Sequence, residues 1–148
     1  MAEVTDMEEE IRLLNDICKN TEMGIDGIQV VQKRCKNRAL HQALQRQLEE
    51  YQTIFSEADQ LLGRFGESPR QIPAAAKIAS HLTMTTKGLR DPSASGIAGM
   101  MIQGNTMGMI QMTRQLRQRR GSGAEARRLA SRLIATEEAN IEQMRPFL

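Results

Sequence analysis

Tryptophan is missing from this sequence, and one Tyr and three Phe bring the aromatics to only 3% of its 148 residues. Aliphatic side chains and ten Met must therefore fill the core, which suits packed helices better than an aromatic-rich sheet. No stretch approaches the ~20 apolar residues that a membrane-spanning helix needs. The acidic opening "MAEVTDMEEE" does not read as a secretory signal, so the expectation is a cytoplasmic protein with no membrane partner. A net charge of +2 implies no strong preference for an acidic or basic partner. Histidine and cysteine are both scarce, at two each. Cys18 and Cys35 fall on one expected helix, where 1.5 Å per residue separates them by roughly 25 Å. They cannot bridge within that helix and are expected to be free thiols.

The residues that are present repeat with helical spacing. Thr5-x-x-Glu8 has the pattern of a capping box. Met7, Ile11, Leu14, Cys18, Ile25 and Ile28 then recur on one face, predicting a first helix over about 6–36. Asn37 can cap a second helix over 38–63, with Leu40, Leu44, Leu48, Tyr51, Phe55, Ala58 and Leu62 on one stripe. Gly63, Gly66 and Pro69 end it. Pro73 can open a short helix over 73–88, and Asp91-Pro92 reads as the N-cap and first residue of a long helix over 92–119. "RGSG" breaks that helix, and Ser122-x-x-Glu125 is a second capping box, opening a last helix over 123–146. The whole chain, 1–148, reads as one helical bundle domain without strands or repeats.

Connection lengths set the topology. The first two long helices are joined by very few residues and so are antiparallel neighbours, as are the last two. The intervening segment can run the bundle's ~40 Å length if part of it is extended. These features predict an all-α four-helix bundle with a long crossover containing a short extra helix, which is the ferritin-like arrangement. An up-down-up-down bundle with the short helix across one end is the alternative. The segments "LNDICKNTEMGIDGIQVV", "HQALQRQLEEYQTIFSEADQLL", "MMIQGNTMGMI" and "TEEANIEQM" resemble parts of uncharacterised bacterial ferritin-like proteins, domain-of-unknown-function families distantly similar to rubrerythrin and ferritin. The resemblance spans nearly the whole chain and carries no catalytic signature.

Di-iron bundles use one Glu from each of two helices and a Glu-x-x-His pair from each of the others. A helical wheel places Glu137 at the centre of the last helix's apolar stripe, between Leu133 and Ile141, with Asn140 where the His would stand. Gln47 and Tyr51 are the inward polar residues of the second helix. Glu50 and Glu22 lie off their stripes, and no carboxylate exists between Asp91 and Glu125. His41 and His81 belong to no Glu-x-x-His. The expected binding cluster is thus Glu137, Asn140, Tyr51 and Gln47, with Glu137 satisfied by Gln47, Tyr51, Asn140 or Gln111. No catalytic residue and no cofactor is expected. The alternative is an iron or manganese site using Glu22, Glu50 and Glu137.

Two other runs stand out. In "MMIQGNTMGMIQM", Met100, Met101, Met107 and Met112 follow helical spacing and read as core packing, though clustered Met can also bind soft Cu(I). Ile97, Met101, Gly104, Gly108 and Met112 form the inward face, with Gly104-x-x-x-Gly108 admitting a neighbouring backbone. The apolar arc of this helix is too wide for one stripe, leaving Ile102, Met109 and Ile110. It is expected to be the most buried helix and to help form a homodimer or higher homo-oligomer. Arg114, Arg117, Arg119, Arg120, Arg127, Arg128 and Arg132 make one end basic, but no nucleic-acid motif accompanies them, so a salt-bridged end is favoured over a nucleic-acid or anion site. The expectation is a non-catalytic ferritin-like structural or binding protein without a complete di-iron site. The alternatives are a divergent metal-binding oxidoreductase or storage protein and a nucleic-acid binder.

Overall fold

In the computed structural model, residues 2–71 and 91–148 are described, and among them there are four long helices and no strand. They are α1 (Ala2–Gln32), α2 (Arg38–Gly63), α3 (Ala94–Gln118) and α4 (Ala124–Met144), followed by a 3₁₀ turn at Arg145–Phe147. The expected short helix over 73–88, with His81, lies outside the described residues.

Helix directions follow from the side chains that meet. Gln32 bonds Gln45, and Glu9 reaches Gly121 while Asn20 reaches Gly108, so α1 is antiparallel to both α2 and α3. Arg64 pairs with Glu125 and Gln47 with Gln143, so α2 is antiparallel to α4. It follows that α2 and α3 run the same way, and the chain between them must return the length of the bundle. The Arg70 N–H, donating to Asn15 Oδ1 at 2.9 Å, begins that return along α1. This is the connectivity of a bundle with one long crossover, and it excludes the up-down-up-down alternative.

The core forms where the apolar stripes converge: Leu13, Leu14, Ile17, Ile28, Leu40, Leu44, Ile54, Leu62, Ile97, Met112, Leu133 and Met144 are fully enclosed. In α2 it is Ile54 that takes the inward place, with Phe55 only partly buried. Met7 is 43% exposed, outside the stripe assigned to it.

Helix ends depart from the sequence reading in four places. α1 begins at Ala2, so Thr5 lies inside the helix and is not its cap, and it ends at Gln32 before the basic run Lys33–Arg34. Asn37 does cap α2, accepting from the Leu40 N–H at 3.0 Å. α3 starts after Ser93, not after Asp91. Ser93 Oγ accepts from the Gly96 N–H, and Asp91 instead accepts from the Ser93 N–H. α4 starts after Gly123 with no side-chain cap. Glu9 and Glu10 from α1 occupy this turn, Glu9 accepting the Gly121 N–H at 2.6 Å. A capping box is redundant where carboxylates from a neighbouring helix already face the positive helix end.

α3 is not the most buried helix. It has five buried residues, against nine in α2 and seven in the shorter α4. Met101 and Met112 are core residues as expected, but Met107 is 61% exposed and Ile110 is 40% exposed. Gly104 meets no neighbouring backbone among the described residues: a Cβ there would have none of them within 4 Å. The close approach is at Gly108 alone, and what fills it is the Glu137 carboxylate.

Candidate functional site

The α1–α3 face opens into a groove of about 850 Å³, bounded by Asn20, Met23 and Gly24 of α1 and by Met100, Gly104 and Gly108 of α3, among others. Small residues on both helices leave the space. Tyr51, Asn105 and Glu137 line its floor. All three are almost wholly enclosed, at 2% exposed each.

Glu137 sits at the centre of the α4 stripe because Leu133 and Met144 on the same face must be buried. Its Oε1 accepts from Asn20 Nδ2 at 3.2 Å, and the same Asn20 amide donates to the Gly108 carbonyl at 3.1 Å. Its Oε2 lies 3.2 Å from the Tyr51 hydroxyl. Tyr51 is also 2.8 Å from Asn105 Oδ1, which accepts in addition from Asn140 Nδ2 at 3.1 Å. The Asn105 amide nitrogen donates to the Met101 carbonyl at 2.8 Å, which fixes its oxygen as the acceptor.

Counting hydrogens assigns the protonation state that this geometry prefers. Tyr51 has one proton and two acceptor neighbours, Asn105 Oδ1 at 2.8 Å and Glu137 Oε2 at 3.2 Å. If Tyr51 donates along the shorter contact, the longer one is a hydrogen bond only when Glu137 is protonated and donates to the phenol oxygen. Burial pushes the Glu137 carboxyl up to about 7, against the opposing effect of its bonds to Asn20 and Tyr51. Burial and the adjacent Glu137 also push the Tyr51 phenol well above its ordinary value.

Of the residues expected here, Glu137, Tyr51 and Asn140 are joined in one network through Asn105. Gln47 is not part of it. Its amide nitrogen donates to Gln143 at 2.9 Å, and its buried Oε1 has no partner among the described residues. Gln111 is exposed on the groove wall. Asn20 and Asn105 complete the cluster and were not expected. Asn105 is legible in hindsight, because Ile97, Met101 and Asn105 are spaced by four and share a face. For Asn20, on the flank of α1, the sequence carries no comparable signal.

The described residues do not fit a di-iron or dimanganese centre. Such a centre needs several inward carboxylates to balance two cations, and among the described residues Glu137 is the one carboxylate on this floor. Glu50 faces Arg132, accepting from Nη2 at 2.9 Å, and Glu57 takes the other side of the same guanidinium at 3.0 Å. Glu22 is only half-buried on α1. Among the described residues no three His, Cys, Asp or Glu side chains gather as a metal site.

Several arginines of the basic end serve the fold. Arg127 donates to the Leu116 and Arg119 carbonyls, closing the C-terminal end of α3, and Arg119 pairs with Asp16 at 3.4 Å. Both cysteines are free. Burial pushes the Cys18 thiol up to about 12, so it is inert as a nucleophile.

Fold and site together define a class: an all-helical bundle with one long crossover, whose core holds a protonatable polar cluster open to a groove. A crystal structure described as a DUF305 fragment from Deinococcus radiodurans is similar to this chain, with a TM-score of 0.72 over 93% of each chain at 14% identity. At that identity the likeness shows the fold alone. No family model and no curated protein matches the sequence. Among the described residues no helix is long and apolar enough to cross a membrane.

Proposed function

We propose that this chain is a non-catalytic, cytoplasmic, ferritin-like bundle that binds a small organic molecule in the α1–α3 groove. One observation carries the proposal: a groove of about 850 Å³ with apolar walls ends on a few convergent, buried polar groups. Ligand sites in helical bundles have that form and size. The connectivity supports ferritin-like kinship, and the free thiols suit a reducing compartment.

Methyl-labelled methionine provides the test. In the NMR spectrum of the labelled protein, small-molecule fragments are expected to shift Met23, Met100 and Met101, which line the groove, and to leave Met7 unmoved. Gly104→Leu projects a side chain into the groove from a position where a Cβ meets nothing within 4 Å among the described residues, and it removes an unfavourable helix glycine, so the variant is expected to fold. Fragment shifts that survive in this variant, or stoichiometric iron or manganese lost on Glu137→Ala, would overturn the proposal.

We also propose a homodimer formed through the face of α3 that carries Met107 and Ile110. Leaving a large apolar side chain exposed forgoes ~1.5–3 kcal/mol, which favours association. Light scattering should give twice the chain mass at tens of micromolar. A strict monomer would refute the interface.

A further inference from the structure

A glutamine at position 137 would satisfy the network better than the glutamate does. Its amide oxygen would accept from Asn20, its nitrogen would donate to Tyr51, and Tyr51 would donate to Asn105, at every pH. A carboxyl group supplies only one thing that the amide lacks, which is a negative charge. That charge is held at the floor of a groove, where no cation among the described residues bonds it. The two described hydrogen-bond partners of its oxygens, Asn20 and Tyr51, are neutral.

Charged groups approach the same groove from the other helices, but each is placed elsewhere. From α1, Asp16 is tied to Arg119, and Lys19 is exposed at the mouth. From α3, Arg114 is exposed at the mouth as well. Tyr51 of α2 stays neutral, and Arg132, on Glu137's own helix, is held by Glu50 and Glu57. The mouth charges act through water and are screened over ~10 Å in ordinary salt, whereas Glu137 acts in a low-dielectric floor.

We infer that the groove takes a small organic cation, a primary amine on an apolar body, with the ammonium bonded to the Glu137 carboxylate and the body lying between the methionines of α1 and α3. This rests on the proposal that the groove binds a small molecule, and it names the chemical class. Entry of the cation replaces the proton on Glu137. The proton leaves to solvent, and the ammonium N–H groups donate to the carboxylate in its place, so charge is conserved on the floor. Methionine thioethers and methyl groups are adaptable walls for the apolar body.

Phenethylamine, the anion 3-phenylpropionate and the neutral 3-phenylpropanol serve as matched probes, titrated by calorimetry into the native protein at pH 6 and pH 8. The amine is expected to bind best of the three. Its affinity should rise roughly tenfold between those pH values, because Glu137 no longer has to give up a proton. At pH 6, buffers of different ionisation enthalpy should report the release of about one proton per amine bound. Glu137→Gln, which keeps the network, should bind the amine at least tenfold more weakly at pH 8 and show no pH dependence.

If the propionate or the alcohol binds more tightly than the amine, and Gly104→Leu abolishes that binding, the groove is a ligand site but the cation assignment is wrong. If the amine binds equally well to Glu137→Gln, the carboxylate is not its partner and the inference fails. If no probe binds at millimolar concentration, both this inference and the binding function it rests on are overturned.

Discussion

Raising the pH from 5 to 8 is expected to cost this fold roughly 2–3 kcal/mol, and Glu137→Gln is expected to remove most of that loss. In the unfolded chain the Glu137 carboxyl titrates near its ordinary value of 4.5, and in the folded chain near 7. Between those values the folded state binds the extra proton, so stability falls as the pH rises. The contribution is fully present below about 4.5 and is lost as the pH passes through about 7. A difference of that size converts to about 3 kcal/mol at 1.36 kcal/mol per pH unit. The physical origin is desolvation of the carboxylate, which the bonds from Asn20 and Tyr51 only partly offset. Burial likewise raises Asp16, despite its pairing with Arg119, so the comparison with Glu137→Gln isolates the Glu137 share. Urea unfolding at three pH values measures both proteins. The variant should match the native protein at pH 5 and exceed it at pH 8. Parallel pH dependences in the two proteins would place the titrating group elsewhere.

The second large effect contrasts two glycines four residues apart on α3. Gly108→Ala is expected to destabilise by about 2–3 kcal/mol, because the new methyl group would overlap the Glu137 carboxylate, a buried group bonded on both oxygens. Gly104→Ala is expected to stabilise by about 0.5–1 kcal/mol. Its methyl group meets none of the described residues, and alanine loses less backbone entropy in a helix interior. Thermal or chemical unfolding of the two variants reads the difference in sign directly. Equal effects would mean that Glu137 swings clear of α3 at little cost. Gly24 on α1 has a related role: a Cβ there would come within 2.7 Å of the Tyr51 ring, so the phenol is seated against the bare helix backbone.

The bundle was legible in the sequence because helical periodicity and connection length are local properties. The Leu40–Leu62 stripe, the Asn37 cap and the inward position of Glu137 all follow from spacing along one helix. Helix starts were less legible. Ser122-x-x-Glu125 has the form of a capping box, yet acids from α1 hold that turn. A sequence pattern cannot register a cap supplied from another helix.

Which residues surround Glu137 was decided only by the tertiary structure. Gln47 and Tyr51 are four residues apart on α2 and both face inward, but the antiparallel packing of α2 against α4 sets Gln47 beside Gln143 and Tyr51 beside Glu137. Asn20 and Asn105 join because α1 and α3 stand apart enough to leave a groove, a separation that no single-helix pattern encodes. The sequence by itself determined four amphipathic helices and one inward acid at Glu137. The inter-helix register decided that the acid meets a phenol and an amide, the neutral partners it has among the described residues, at the floor of a groove.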